Sequence, residues 1–410
     1  MRVPRGLRDY DPDTYERMEL IRENFVKLAR VYNVRLMEPS SIELLETLEA
    51  KGGEEIVNEI YAFKDKSGRD LGLRFDLTVG ITRYVCERRD LPLPVKLGSF
   101  ASMWRYDEPQ RGRYRWFYQW DVEVYGDKSP EAYAEVLAFT YRMLAESGVN
   151  NPLIYISDRR TVEDAIKSIA GNKFSMDLMR ALDKLGKKSR DEIISEYVER
   201  GFDENIVSSV LDISSANEGS DAVRGFIRED LLRLRDLLRD MGVPAEVSFR
   251  IVRGLDYYTD IVYEAYAAGQ QDLGAVAGGG GYDVLPAVFG RPDLKALGVA
   301  GGVDRLLLAS TKAPVRPRVV YVVYTGDMRA QALKVTETLR SSGVTAELAR
   351  KSRLNEQLAE AERNGAEVAV LVLPRELSEG KLKMKIMRTR EEKELPLSSI
   401  LQEVQNVLRS

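Results

Sequence analysis

Within residues 104–123, WRYDEPQRGRYRWFYQWDVE, Gln119 and Glu123 fall on one face of a predicted strand. With a side-chain period of two, Arg115, Phe117, Gln119, Asp121 and Glu123 share that face, and Trp116, Tyr118, Trp120, Val122 and Val124 share the other. At about 3.4 Å per residue, Gln119 and Glu123 stand about 13 Å apart, the span of a small substrate. An aromatic core face with a solvated outer face accounts for the same pattern. In the predicted strand 71–78, Asp76 and Thr78 lie on one face, where a carboxylate and a hydroxyl can hold an ammonium group. Arg305 opens a predicted helix after a glycine turn. A cation there opposes the helix dipole and asks for an anion, unless the glycines serve packing alone.

Composition narrows the chemistry. The chain of 410 residues contains no histidine and one cysteine, Cys86, so Ser-His and Cys-His nucleophiles, His-ligated zinc and multi-thiolate metal sites are excluded. Arg, Asp, Glu, Lys, Tyr and backbone groups must do the work. The 61 basic residues are balanced by 65 acidic ones, a net charge of −4, so a nucleic-acid partner would have to be met by local basic patches. No apolar run reaches the length of a membrane span and the N-terminus lacks a signal-peptide core, which predicts a cytoplasmic location and no membrane partner.

The elements that must position these groups follow from spacing. A hairpin is predicted over 95–105 and 114–124, with a polar turn at 106–113. A helix is predicted over 12–33, with Asp11 as N-cap, Pro12 in its first turn and Tyr15, Met18, Ile21, Phe25, Leu28 and Val31 as its apolar stripe. A short strand at 34–37 follows. Residues 158–242 are charge-rich and helical, with no catalytic spacing. Arg253-Gly254 breaks the next strand pattern, in RGLDYYT. Residues 277–283, AGGGGYD, carry four glycines that predict close backbone approach to a ligand, yet fit neither G-x-G-x-x-G nor a Walker A loop. Beyond a Pro-containing linker at 312–318, strands alternate with helices, predicting a small, mostly parallel sheet. Basic residues near Arg350, Lys351 and Arg353 and along 381–390 suit either phosphates or a solvated face.

The stretch 104–123 resembles the second signature motif of class II aminoacyl-tRNA synthetases, and in detail that of the histidyl-tRNA synthetases: an Arg, a Glu/Pro/Gln turn, GRYR, then an aromatic-Gln-aromatic run ending in Glu. RGLDYYT and AGGGGYD are similar to the family's two histidine-pocket segments, and ALGVAGGVDR at 296–305 to its third motif. The resemblance spans the chain. It implies an α+β fold: an antiparallel-sheet catalytic domain (1–157 and 243–312) with a helical insertion (158–242), and a C-terminal α/β anticodon-binding domain (318–410). It implies activation of L-histidine with ATP, Mg2+ entering with the nucleotide, and transfer to the 3′ end of tRNA(His) by a homodimer joined through the first helix and the 34–37 strand. Arg105 and Arg253 are then expected on the α-phosphate and Arg305 on the γ-phosphate, with Glu108 and Arg113 near the nucleotide. Asp76, Thr78, Gln119, Glu123, Arg253, Tyr257, Tyr258 and Tyr282 are expected around histidine. Asp76 is the shorter of the two carboxylates the family uses. The competing expectation is a non-catalytic paralogue that regulates ATP phosphoribosyltransferase, although such paralogues usually lose the pocket string and the C-terminal domain.

Overall fold

Asp11 and Pro12 start the first helix in the manner their chemistry favours. The Asp11 carboxylate accepts the Thr14 backbone N–H at 2.9 Å, and Pro12 fills the first turn of the helix Pro12–Val31. Met18, Ile21, Phe25 and Leu28 are buried, while Tyr15 and Val31, at the two ends of the predicted stripe, are exposed. The computed structural model describes residues 2–50, 58–108, 112–185, 188–252 and 257–409. The chain divides into two compact units, Met1–Pro314 and Val315–Ser410.

In the first unit the strands are β1 (Arg35–Leu36), β2 (Ile42–Leu44), β3 (Ala62–Lys64), β4 (Asp70–Leu73), β5 (Val95–Trp104), β6 (Trp116–Tyr125), β7 (Pro152–Asp158), β8 (Ala245–Val247), β9 (Ile261–Ala267), β10 (Ala277–Gly281) and β11 (Ala296–Gly302). Eight of them form one sheet in the order β1-β5-β6-β11-β10-β9-β7-β8. The inner pairings are all antiparallel; only β1 on β5 and β8 on β7 are parallel. β2, β4 and β3 make a small antiparallel sheet.

The two faces of β6 separate as their period requires. Trp120 points to the back, where its ring meets Phe25 of the first helix at 6.2 Å and Phe139 of the helix Pro130–Glu146 at 6.0 Å. Burying each such ring contributes about 1.5–3 kcal/mol, so the two helices are fastened under the centre of the strand. Trp116 and Tyr118 on the same face stack with Tyr10 at 5.4 and 5.9 Å. Phe117, Gln119 and Glu123 are left to the front.

One predicted strand is shorter than its alternation suggests. β4 ends at Leu73, and Thr78 is the first residue of the helix Thr78–Glu87. The Asp76 carboxylate accepts the Val79 backbone N–H at 3.1 Å, so a local side-chain-to-backbone bond begins a helix where the period of two reads as strand. Arg74 is buried, donating to Ser102 O, Pro39 O and Glu38.

Between β7 and β8 the chain forms helices from Arg159–Ala170 to Glu229–Asp240, folded around buried Ile193, Tyr197, Val207, Val210 and Leu211. The cations there are largely held by neighbours, as in Arg160 with Asp158, Arg200 with Asp177 and Arg190 with Asp212.

In the second unit, β12 (Val319–Tyr324), β13 (Ala346–Leu348), β14 (Ala366–Val372), β15 (Lys381–Ile386) and β16 (Glu392–Pro396) are ordered β13-β12-β14-β15-β16. β12 pairs in parallel with β13 and β14, but β15 and β16 are antiparallel, which makes the sheet evenly mixed and not mostly parallel. The missed strand, EKELP, alternates charge with little apolar signal. Lys381, Lys383 and Lys385 of β15 pair with Glu379, Glu376 and Glu392.

Candidate active site

The front of the large sheet is bare where a ligand needs room. Gly298 of β11 lies opposite Glu123 of β6, and Gly302 lies opposite Gln119. A methyl group on Gly298 would overlap the Glu123 carboxylate, so that carboxylate can sit only over a glycine. Together with Gly278 of β10, these residues form part of a cleft of about 490 Å³.

Ten of the predicted site residues line this one cleft: Asp76, Thr78, Arg105, Arg113, Gln119, Glu123, Tyr257, Tyr258, Tyr282 and Arg305. Glu108 does not. Its exposed carboxylate lies 3.2 Å from Arg5, outside the lining, because the turn carries it to the surface. Arg253 lies outside the described residues, as do the first four positions of RGLDYYT.

At one wall Glu123 is 1% exposed and accepts the Tyr282 hydroxyl proton at 2.5 Å. The Tyr282 hydroxyl is 3.3 Å from that of Tyr125, which is 2.8 Å from Thr82 Oγ1; Thr82 in turn donates to Thr78 O at 2.7 Å. Burial first, and the Glu123 charge second, push the Tyr282 and Tyr125 phenols well above their ordinary pKa. Both stay protonated at neutral pH, so Tyr282 remains a donor that fixes the Glu123 carboxylate. Tyr257 and Tyr258, also on the cleft wall, have ring centres 4.1 Å apart.

Two cations come from distant segments. Arg105, at the end of β5, donates from Nε to Phe75 O at 2.8 Å and has its guanidinium 5.2 Å from the Phe117 ring centre. Arg305 is in the helix Val303–Ala309 and donates from Nη1 to Ala275 O at 2.7 Å. The end of that helix is held by Arg17 Nη2, which donates to Leu307 O and Ser310 O at 2.7 and 3.1 Å. Arg113 lies 3.6 Å from Asp107.

Sequence reasoning passed over several lining residues, among them Glu59, Asp107, Tyr114 and Asp304. Asp304 is buried beside Arg305 and needs a partner, which no local sequence pattern announces. Arg8 supplies it, with the Tyr10 hydroxyl 3.3 Å away, and the Arg8 guanidinium lies 3.8 Å over the Tyr114 ring. Burial raises the Asp304 pKa and Arg8 opposes the rise.

The glycine run has a different reason from the one expected. Gly278 does face the cleft, but Gly279 makes room for the Tyr263 hydroxyl, which donates to Gly298 O at 2.7 Å. A methyl on Gly280 would press on Tyr258 and Ile261 O, and one on Gly281 would overlap Asp260 and Tyr133. Three of the four glycines make room for protein groups, and only Gly278 borders the cleft.

Residues 6–306 match the family described as histidyl-tRNA synthetase, and residues 318–407 match an anticodon binding domain. The chain belongs to the histidyl-tRNA synthetase family. A histidine–tRNA ligase of Pyrobaculum islandicum is 37% identical over 409 residues, covering 97% of this chain and 96% of that relative. The fold is shared with the crystal structure of histidyl-tRNA synthetase from Nostoc sp. PCC 7120, with a TM-score of 0.81 at 22% identity and 99% of each chain covered. It is shared too with an ATP phosphoribosyltransferase regulatory subunit/histidyl-tRNA synthetase from Bacillus halodurans, with a TM-score of 0.75 at 21% identity, covering 91% of this chain and 98% of that one. The full-length match to histidine–tRNA ligases, together with the anticodon binding domain, favours the ligase over the regulatory subunit. The α+β architecture, with its largely antiparallel catalytic sheet and a C-terminal anticodon-binding domain, is that of the family.

Proposed function

We propose that this cleft activates L-histidine with ATP, giving histidyl-adenylate and pyrophosphate, and then passes the histidyl group to the 3′ end of tRNA(His). The chain is an aminoacyl-tRNA ligase. The observation that carries the site assignment is a buried carboxylate, Glu123, in the same cleft as two arginines from motifs 200 positions apart, Arg105 and Arg305.

The substrate carboxylate is already a nucleophile at neutral pH. Its oxygen attacks the α-phosphorus, the bond to the bridging oxygen breaks, and pyrophosphate leaves, with no proton taken by the protein. The step needs placement and positive charge, which explains how a chain with no histidine performs it. Arg105 and Arg253 take the α-phosphate and Arg305 the γ-phosphate, each a planar fork suited to phosphate oxygens. Arg113 lies near the nucleotide; Glu108, exposed beside Arg5 and outside the cleft lining, is not placed on it. Asp76, Thr78 and Gln119 hold the ammonium end of histidine, and Glu123 accepts the ring N–H with Tyr257, Tyr258 and Tyr282 around the ring. In the second step the terminal ribose hydroxyl of tRNA attacks the adenylate carbonyl and AMP leaves.

Mg2+ enters with the nucleotide, carried by triphosphate oxygens. A homodimer fits the exposed apolar side chains of the first helix and β1, where Val31 is 63% and Leu36 46% exposed. No helix of the described residues is long and apolar enough to cross a membrane. The cytoplasm is where tRNA, histidine and ATP meet.

The experiment is ATP–pyrophosphate exchange with each amino acid in turn. Exchange with histidine alone is expected. Binding of histidine without exchange would instead favour the regulatory-subunit reading.

A further inference from the structure

Lys128 lies in the turn between β6 and the helix Pro130–Glu146, outside the cleft lining, and its side chain is 12% exposed. It meets three acceptors: Thr259 Oγ1 at 3.1 Å, Asp260 Oδ2 at 2.5 Å and Asp283 Oδ2 at 2.8 Å. An ammonium group has three protons, and each has a partner here.

These acceptors directly follow the pocket tyrosines. Thr259 and Asp260 come after Tyr258, and Asp283 comes after Tyr282. The Thr259 hydroxyl donates to Gly281 O at 3.2 Å and its backbone N–H donates to the same oxygen at 2.8 Å, so the hydroxyl has a lone pair left for Lys128. Tyr133 donates to the other oxygen of Asp260 at 2.6 Å, and Arg159 Nη1 donates to Tyr258 O at 2.6 Å. The second cation on Asp283, Lys295 at 3.2 Å, is mostly exposed and reaches no other member of the group. Among the described residues, Lys128 is the cation that bonds to both segments.

We infer that Lys128 is a positioning residue for histidine recognition: it ties the segment that carries Tyr258 to the segment that carries Tyr282, and so sets the width of the slot the imidazole enters. This rests on the cleft being the histidine site. Without the lysine, Asp260 and Asp283 lose their shared cation; the Thr259–Gly281 hydrogen bonds keep the two segments joined, and the unbalanced charge shifts how Tyr258 and Tyr282 sit across the slot. ATP should be less affected, because Arg105 and Arg305 hold it from other elements and only Arg253 shares the segment of Tyr258.

Three variants test it by histidine-dependent ATP–pyrophosphate exchange, with near-UV circular dichroism as the check on folding. Lys128→Met is expected to raise the KM for histidine by about 10- to 100-fold, the scale on which small misplacements act, with the KM for ATP changed by less than about threefold. Lys128→Arg should stay near the unaltered protein, because a guanidinium can bridge the same carboxylates. Lys128→Met with Asp283→Asn removes one charge of each sign and should recover most of the affinity. It also carries the test if the single variant does not fold. An unchanged histidine KM in folded Lys128→Met, equal rises for histidine and ATP, or no recovery in the double variant would overturn the inference. Absence of histidine-dependent exchange in the unaltered protein would overturn the functional reading itself.

Discussion

Arg105→Gln is expected to lower kcat for histidine-dependent ATP–pyrophosphate exchange by about 10²–10³, the loss found when one preorganised donor to a developing anion is removed. The reasoning starts from charge. As the carboxylate oxygen closes on the α-phosphorus, negative charge gathers on the non-bridging oxygens, and no proton transfer relieves it. The proposed role falls to Arg105, which is held from the protein side with Nε bonded to Phe75 O and its guanidinium beside Phe117. Glutamine keeps much of the bulk and loses the charge and the fork. The fold should survive, because the glutamine still packs against Phe117; thermal melting checks this. Arg105→Lys should retain only part of the rate, since an ammonium is a point charge and not a fork. A folded Arg105→Gln variant with an unchanged rate would remove this residue from the phosphate.

The second large effect is on recognition. Glu123→Gln should raise the KM for histidine by about 10- to 100-fold, the equivalent of losing a charged hydrogen bond of about 1.5–3 kcal/mol, while the KM for ATP stays within about twofold. The Tyr282 hydroxyl stays protonated and keeps donating to the side chain, so the amide oxygen is turned toward Tyr282 and the amide NH2 toward the ring N–H. Two donors then face one another. A polar pocket that discriminates through one buried acceptor is most sensitive to this exchange. Equal changes in the two Michaelis constants would show that Glu123 supports the cleft as a whole and does not read the imidazole.

Much of the site was legible because β6 obeys a period of two without interruption. Gln119 and Glu123 could be assigned to one face and Trp120 to the other from alternation alone, and the register places Gly302 and Gly298 across from the first two. Arg305 was placed in the first turn of a helix from the sequence, and the helix Val303–Ala309 carries it to the cleft wall. Less was legible where one residue serves two purposes. Asp76 both lines the cleft and bonds the first turn of a helix, and the second role ended a strand that alternation would have continued. The glycines of β10 were read as a ligand's approach, but the groups that require most of them, Tyr263, Tyr258, Asp260 and Tyr133, come from other segments, and no local pattern announces such contacts. The Arg8–Asp304 pair joins positions nearly 300 apart in the chain. β16 was missed because its alternation is of charge and not of hydropathy.

On the proposed reading, arginines far apart in sequence converge on one nucleotide while a buried carboxylate reads the amino acid beside it. The most direct measurement is a crystal structure with ATP and histidinol, an analogue that lacks the attacking carboxylate and leaves the nucleotide whole. Arg105 and Arg253 are expected within hydrogen-bond distance of the α-phosphate, Arg305 at the γ-phosphate, and a ring nitrogen on Glu123. A nucleotide bound elsewhere, or these three guanidinium groups turned toward unrelated surfaces, would contradict that reading.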